Sequence, residues 1–163
     1  MEKISTSMNK IDLSIVIPAF DEEESIPLLY EKIKKNLYNK DLSYEIILID
    51  DGSSDNTWEK ISKLEKKSKL IIPIKFIKNY GKSDALDAGF KIAKGKFILT
   101  MDADLQDDPK EIYKLYRMIK DNNYDLISGW KKKRNDPLSK RIPSKFFNAV
   151  TRIFSGINLN DFN

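Results

Sequence analysis

The chain has 163 residues, 40% hydrophobic and 33% charged, a balance that fits a folded soluble domain large enough to bury a core without covalent staples. It has no cysteine and no histidine, which removes disulfides, thiolate nucleophiles, Cys-ligated zinc and the usual serine hydrolase triad. Any proton transfer falls to carboxylates, lysines or tyrosines. The net charge of +4 is uneven: residues 131–152 hold eight basic side chains and one acid, +7 against −3 elsewhere, so a phosphate or an anionic surface is an expected partner.

Residues 1–10 are polar, lack the apolar core of a signal peptide and are expected to be disordered. Leu13 to Ile17 reads as a first strand, closed by Pro18. Ser25 then caps a helix with apolar residues at Ile26, Leu29, Tyr30, Ile33 and Leu37, a 3.6-residue period. Ile46 to Ile49 is a second buried strand, and Asp55 or Ser54 caps a helix whose inner face is Trp58, Ile61 and Leu64. Ile74 to Ile77 is a third strand, kept short by Pro73. Ser83 starts a helix with Leu86, Phe90 and Ala93 inward and Gly95 as its C-cap.

Phe97 to Met101 is the fourth strand. Asp108 and Pro109 form the N-cap and first residue of a helix using Ile112, Leu115, Tyr116 and Ile119. Asp125 to Ser128 reads as a short fifth strand, and Ser144 opens an amphipathic helix with Phe146, Phe147, Val150 and Phe154. Strands alternating with helices at this spacing predict an α/β fold with a parallel sheet, one domain over residues 11–163. Asn158 to Asn163 reads as the approach to another strand, so the domain is expected to be incomplete at its C-terminus. No apolar run approaches the ~20 residues of a membrane span.

Three strand ends carry acids to one edge of that sheet: Asp21-Glu22-Glu23-Glu24, Asp50-Asp51-Gly52 and Asp102-Ala103-Asp104. Right-handed crossovers set such ends side by side, at the carboxyl edge where parallel sheets bind ligands. Converging carboxylates repel one another unless they have separate tasks, for which ribose hydroxyls, a base N–H and a metal ion are suitable recipients. For Asp102 and Asp104 a hard divalent cation, Mg²⁺ or Mn²⁺, carrying a diphosphate is the natural partner. A glycine-rich dinucleotide fingerprint and a P-loop are both missing. An EF-hand from Asp102 fails because its sixth position is Asp107 and its twelfth Tyr113.

Four ordered segments make a closer identification possible: Ser14-Ile-Val-Ile-Pro-Ala-Phe-Asp-Glu-Glu-Glu, Ile49-Asp-Asp-Gly-Ser-Ser-Asp-Asn-Thr, Asn79-Tyr-Gly-Lys-Ser-Asp-Ala-Leu-Asp-Ala-Gly and Met101-Asp-Ala-Asp-Leu-Gln-Asp-Asp-Pro. Together they resemble the family 2 glycosyltransferases, most of all the dolichyl- and undecaprenyl-phosphate sugar transferases. Ser128-Gly-Trp-Lys-Lys-Lys-Arg and Arg141-Ile-Pro-Ser-Lys-Phe-Phe-Asn extend the match. The resemblance implies a GT-A fold and inverting transfer of a sugar from a UDP- or GDP-linked donor to a polyprenyl phosphate. It places the protein at the cytoplasmic face of a membrane, with no nucleic acid partner.

By position, the resemblance assigns Pro18, Phe20 and Glu22 to the nucleotide pocket, and Ile49 and Asp51 to the base or ribose. Asp102 and Ala103 would meet ribose and diphosphate, and Asp102, Asp104 and Gln106 the Mg²⁺ or Mn²⁺. Lys131 stands where relatives carry an arginine against the diphosphate, and Asp161 where they carry an aspartate near the acceptor, as base or positioning residue. Lys132, Lys133, Arg134 and Arg141 would gather the lipid phosphate, with the Phe146–Phe154 helix face at the membrane or in the core. Transfer to a saccharide hydroxyl, and nucleotide-sugar binding without catalysis, remain the alternatives.

Overall fold

An apolar, β-branched run with little alternation suits a strand covered on both faces, and Leu13–Ala19 forms such a strand, β1, inside the sheet. It is followed by α1 (Ser25–Leu37), β2 (Tyr44–Asp50), α2 (Thr57–Lys67), β3 (Ile71–Lys75), α3 (Lys82–Ile92), β4 (Phe97–Thr100) and α4 (Glu111–Asn122). This computed structural model describes residues 10–129. Residues up to Tyr124 form one unit, and the described residues 125–129 belong to a second. The N-terminal residues 1–9, the basic block and the Ser144 helix lie outside the described residues.

The four strands are parallel in the order β3-β2-β1-β4. Leu13 aligns with Tyr44 and with Phe97, and Ala19 aligns with Asp50. That register brings the ends of β2, β1 and β4 together at one edge, as the acid-loaded strand ends require. Leu13, Ile15 and Ile17 of β1 and Ile46 and Leu48 of β2 join Ile26, Leu29, Ile33, Ile61 and Ile112 in one core cluster. Val16, Ile47 and Ile49, pointing the other way, meet Ala85 of α3. Thus α1, α2 and α4 cover one face and α3 the other.

The five apolar positions expected in α1 are its five buried residues. Its first helical residue is Ser25, with Glu24 as the cap, so Ser25 does not cap the helix. In α2, Ile61 and Leu64 are buried and Trp58 half-buried, with the Lys75 ammonium 5.2 Å from its ring centre. The third strand begins three residues earlier than expected and includes Pro73, while Ile77 is 91% exposed. Since β3 pairs only with β2 among the described residues, it is an edge strand and tolerates the missing proline N–H.

On α3 the buried residues are Ala85 and Gly89, the expected Leu86 and Ala93 pack half-buried against the same cluster, Phe90 is exposed, and the helix ends at Ile92 with Ala93 as its cap, before Gly95. A Cβ on Gly89 would stand 2.4 Å from Val16 Cγ1, so the helix axis approaches the sheet through small residues and turns Phe90 away. The helix α4 starts at Glu111 with Lys110 in the cap position, two residues later than expected, so Asp108 and Pro109 form the turn before it, where the Asp108 carboxylate accepts the Lys110 N–H at 3.1 Å. Asp125 to Ser128 forms no strand, and Leu126 is 75% exposed. A strand needs a ladder partner, and none of the described strands pairs with these residues.

One buried polar device locks the sheet to the start of β4. The Ser14 hydroxyl donates to Glu45 Oε1 at 2.6 Å, the Lys94 N–H donates to the same oxygen at 2.7 Å, and the Gly95 N–H donates to Ser14 Oγ at 2.8 Å. Both Ser14 and Glu45 are buried. Glu45→Ala is expected to cost about 2–3 kcal/mol, because each donor left without an acceptor costs roughly 1–3 kcal/mol. Glu45→Gln, which keeps an acceptor oxygen, should lose less. Urea unfolding of the full chain measures both, and equal losses would show that the hydrogen-bond geometry is not what matters.

Candidate functional site

The edge where β2, β1 and β4 end opens into a cavity of about 400 Å³. Its walls are Pro18, Ala19, Phe20 and Glu22 after β1, Asp51 after β2, Asn79, Gly81 and Lys82 at the start of α3, and Asp102, Ala103 and Asp104 after β4. Of the residues expected for donor binding, Pro18, Phe20, Glu22, Asp51, Asp102, Ala103 and Asp104 are brought together here. Ile49 is not: it is fully buried in the core cluster against α3. Strand alternation sends its side chain into the sheet's packing face, away from the opening. Gln106 is exposed and not part of the wall, and its N–H donates to Asp104 Oδ1 at 2.9 Å. Lys131, Lys132, Lys133, Arg134, Arg141 and Asp161 lie outside the described residues.

The wall after β1 is held by the turn after β2. The Ser54 N–H donates to Asp21 Oδ1 at 2.7 Å, and the Asp21 N–H donates to Ser53 Oγ at 3.0 Å. The Glu22 N–H donates to Thr57 Oγ1 at 2.7 Å, and the Glu23 N–H to Asp55 Oδ2 at 3.1 Å. Asn56 returns a side-chain bond to Glu23 Oε2 at 2.6 Å. Burial pushes the Asp55 carboxyl up, but the Thr57 hydroxyl and the N–H groups of Thr57 and Glu23 outweigh it and hold the group below its ordinary range. Asp55 also accepts the Thr57 N–H at 2.9 Å, although the cap position of α2 is Asn56, one residue after the expected Asp55.

Asp51 is buried, and both its oxygens are occupied: Oδ1 accepts the Tyr80 N–H at 2.8 Å and Oδ2 the Gly81 N–H at 2.9 Å. It therefore fixes the turn that opens α3. Gly52 permits that approach, since its φ is +71° and a Cβ there would stand 2.2 Å from the Lys78 carbonyl carbon. Asp50 beside it is fully buried, with Oδ1 accepting the Ser53 N–H at 3.0 Å.

After β4 the chain turns sharply, and Leu105 takes the left-handed conformation at φ 64°. The turn leaves Asp104 exposed at the wall and Asp102 paired with Lys82, Nζ to Oδ1 2.5 Å. Among the described residues no group of three or more His, Cys, Asp or Glu side chains could cage a cation. A cation shared with a diphosphate needs only one or two carboxylates, and Asp102 with Asp104 meets that requirement. Sequence reasoning quoted Asn79, Gly81 and Lys82 without giving them a task. The available signal was the lysine at the first position of a helix, where the dipole disfavours a cation unless an anion stands opposite.

The sequence profile described as glycosyl transferase family 2 matches residues 14–162. The dodecaprenyl-phosphate galacturonate synthase of Rhizobium johnstonii is 35% identical over 157 residues, 95% of this chain and 46% of that protein. The undecaprenyl-phosphate 4-deoxy-4-formamido-L-arabinose transferase of Photorhabdus laumondii is 38% identical over 151 residues, 92% of this chain and 46% of that protein. The chain thus spans about half the length of the curated relatives it matches. TarS of S. aureus, residues 1–349 in complex with UDP-GlcNAc, superposes with a TM-score of 0.62 at 23% identity, over 79% of this chain and 38% of that one, a likeness of fold.

Proposed function

Since the chain belongs to glycosyl transferase family 2, we propose that it moves a sugar from a UDP- or GDP-linked donor to a polyprenyl phosphate. The observation that carries this reading is the cavity at the ends of β1, β2 and β4, walled by Glu22, Asp51, Asp102 and Asp104. Such an edge is the ligand position of parallel sheets. The acceptor class is taken from the two curated relatives, whose names specify polyprenyl phosphates.

The nucleotide lies along Pro18, Phe20 and Glu22, with the diphosphate toward Asp102, Ala103 and Asp104. Asp104 and Asp102 would hold a Mg²⁺ or Mn²⁺, with Gln106, which stands outside the wall, as the further oxygen donor that the family resemblance implies. When bound, the cation neutralises charge on the departing diphosphate. The acceptor phosphate oxygen attacks the anomeric carbon from the face opposite the nucleotide. The new C–O bond forms as the bond to the diphosphate breaks, with inversion. A phosphate is already anionic at neutral pH, so a chain without histidine needs no strong base for this acceptor. Lys131 is assigned to the donor diphosphate, Lys132, Lys133, Arg134 and Arg141 to the lipid phosphate, and Asp161 to positioning of the acceptor.

No described helix is long and apolar enough to cross a membrane. Contact with the cytoplasmic face of a membrane would come from the basic block and the Phe146–Phe154 segment. The test offers radiolabelled UDP- and GDP-sugars to the full chain with undecaprenyl phosphate in detergent, and separately with soluble saccharides. Label extracted with the lipid is the expected result. Label moving to the saccharides instead would assign a hydroxyl acceptor, and nucleotide binding without turnover would leave a binding domain.

A further inference from the structure

The cavity wall is strongly unbalanced. It carries four carboxylates (Glu22, Asp51, Asp102 and Asp104) and, among the described residues, a single cation, Lys82. Glu22 is engaged by the Ser25 hydroxyl, and Asp51 by two backbone N–H groups. Asp102 and Asp104 remain to repel an incoming diphosphate, and the ammonium of Lys82 sits on the first of them at 2.5 Å. Lys82 is also the first residue of α3, where the positive end of the helix repels a cation. A lysine there is favoured when an anion stands against it, which offsets that modest repulsion.

We propose that Lys82 is an exchangeable counter-ion of the donor site. Its ammonium holds Asp102 while the cleft lacks a divalent cation, and turns onto the diphosphate when metal and nucleotide enter. The role rests on the donor reading given above. The pair is well suited to exchange: its side chains are 59% and 38% exposed, and ion pairs so open to water are weak. Lysine carries its point charge on a flexible stem, which lets it follow either partner.

Calorimetric titration of the full chain tests the exchange, using MnCl₂ alone and then UDP, GDP, UMP and GMP at saturating Mn²⁺. Lys82→Gln should bind Mn²⁺ alone about two- to fivefold more tightly than wild type, because the competing ammonium has gone. The same variant should lose about tenfold of the wild-type preference for diphosphate over monophosphate. Lys82→Arg keeps the charge and should hold both values within about twofold of wild type. Lys82→Gln with unchanged or weaker Mn²⁺ binding, or with an unchanged diphosphate preference, overturns the role of Lys82 alone. A wild-type chain that takes up neither UDP nor GDP overturns the donor reading and this role with it.

Discussion

Asp104→Asn in the full chain is expected to lower sugar transfer about a thousandfold while moving the thermal midpoint by no more than about 2 °C. Asp104 is exposed, and its one hydrogen bond in the described structure is the Gln106 N–H on Oδ1, which an asparagine oxygen also accepts. Exposed substitutions of this kind usually change stability by less than about 0.5 kcal/mol, near 2 °C for a chain of this size. What the variant removes is the negative charge. Lewis-acid assistance is worth several kcal/mol, and each 1.36 kcal/mol is about tenfold in rate. Turnover with radiolabelled donor and a melting curve measure the two quantities separately. Near-wild-type transfer by the variant, or by wild type in EDTA, would rule out the metal role of this carboxylate.

The second large effect is on folding. Gly52→Ala should destabilise the protein by about 3 kcal/mol or more and weaken nucleotide binding as well. A residue other than glycine at φ +71° costs roughly 1–2 kcal/mol. The added Cβ would also stand 2.2 Å from the Lys78 carbonyl carbon and 2.6 Å from the Asn79 nitrogen. Those are backbone atoms, so rotation of a side chain gives no relief, and overpacking adds about 1–3 kcal/mol. Moving residues 78–79 displaces the Tyr80 and Gly81 N–H groups from Asp51, and with them the start of α3. Urea unfolding and nucleotide calorimetry report the two losses. A stability change under about 0.5 kcal/mol would show that the 78–81 turn is not anchored by this contact.

Most of the sheet was legible in the sequence, because four apolar runs separated by helical periods leave few other parallel arrangements. The buried face of α1 followed from its period alone. The α3 face followed in part: Leu86 and Ala93 pack against the second cluster as expected, but a helix that approaches the sheet through Ala85 and Gly89 buries small residues, and hydrophobicity then points wrongly to Phe90. Pro73 misled for a related reason: proline excludes only strands with partners on both sides, and edge status is a tertiary fact.

At the site, the acids that end β1, β2 and β4 pointed to the cavity because parallel register is simple to extrapolate. What each acid does there was not legible. Asp51 and Asp102 look alike in sequence, yet one is satisfied by backbone N–H groups and the other by a lysine twenty residues away. Side-chain partners of that kind depend on how loops fold back, which no local pattern encodes.

The reciprocal bonding of the segments after β1 and β2 has a consequence for affinity. Asp21, Ser53, Ser54, Asp55 and Glu23 tie the two loops into one body before any ligand arrives. Half of the binding crevice has therefore lost its conformational freedom at the folding stage, and a ligand resting on it meets no further ordering cost there.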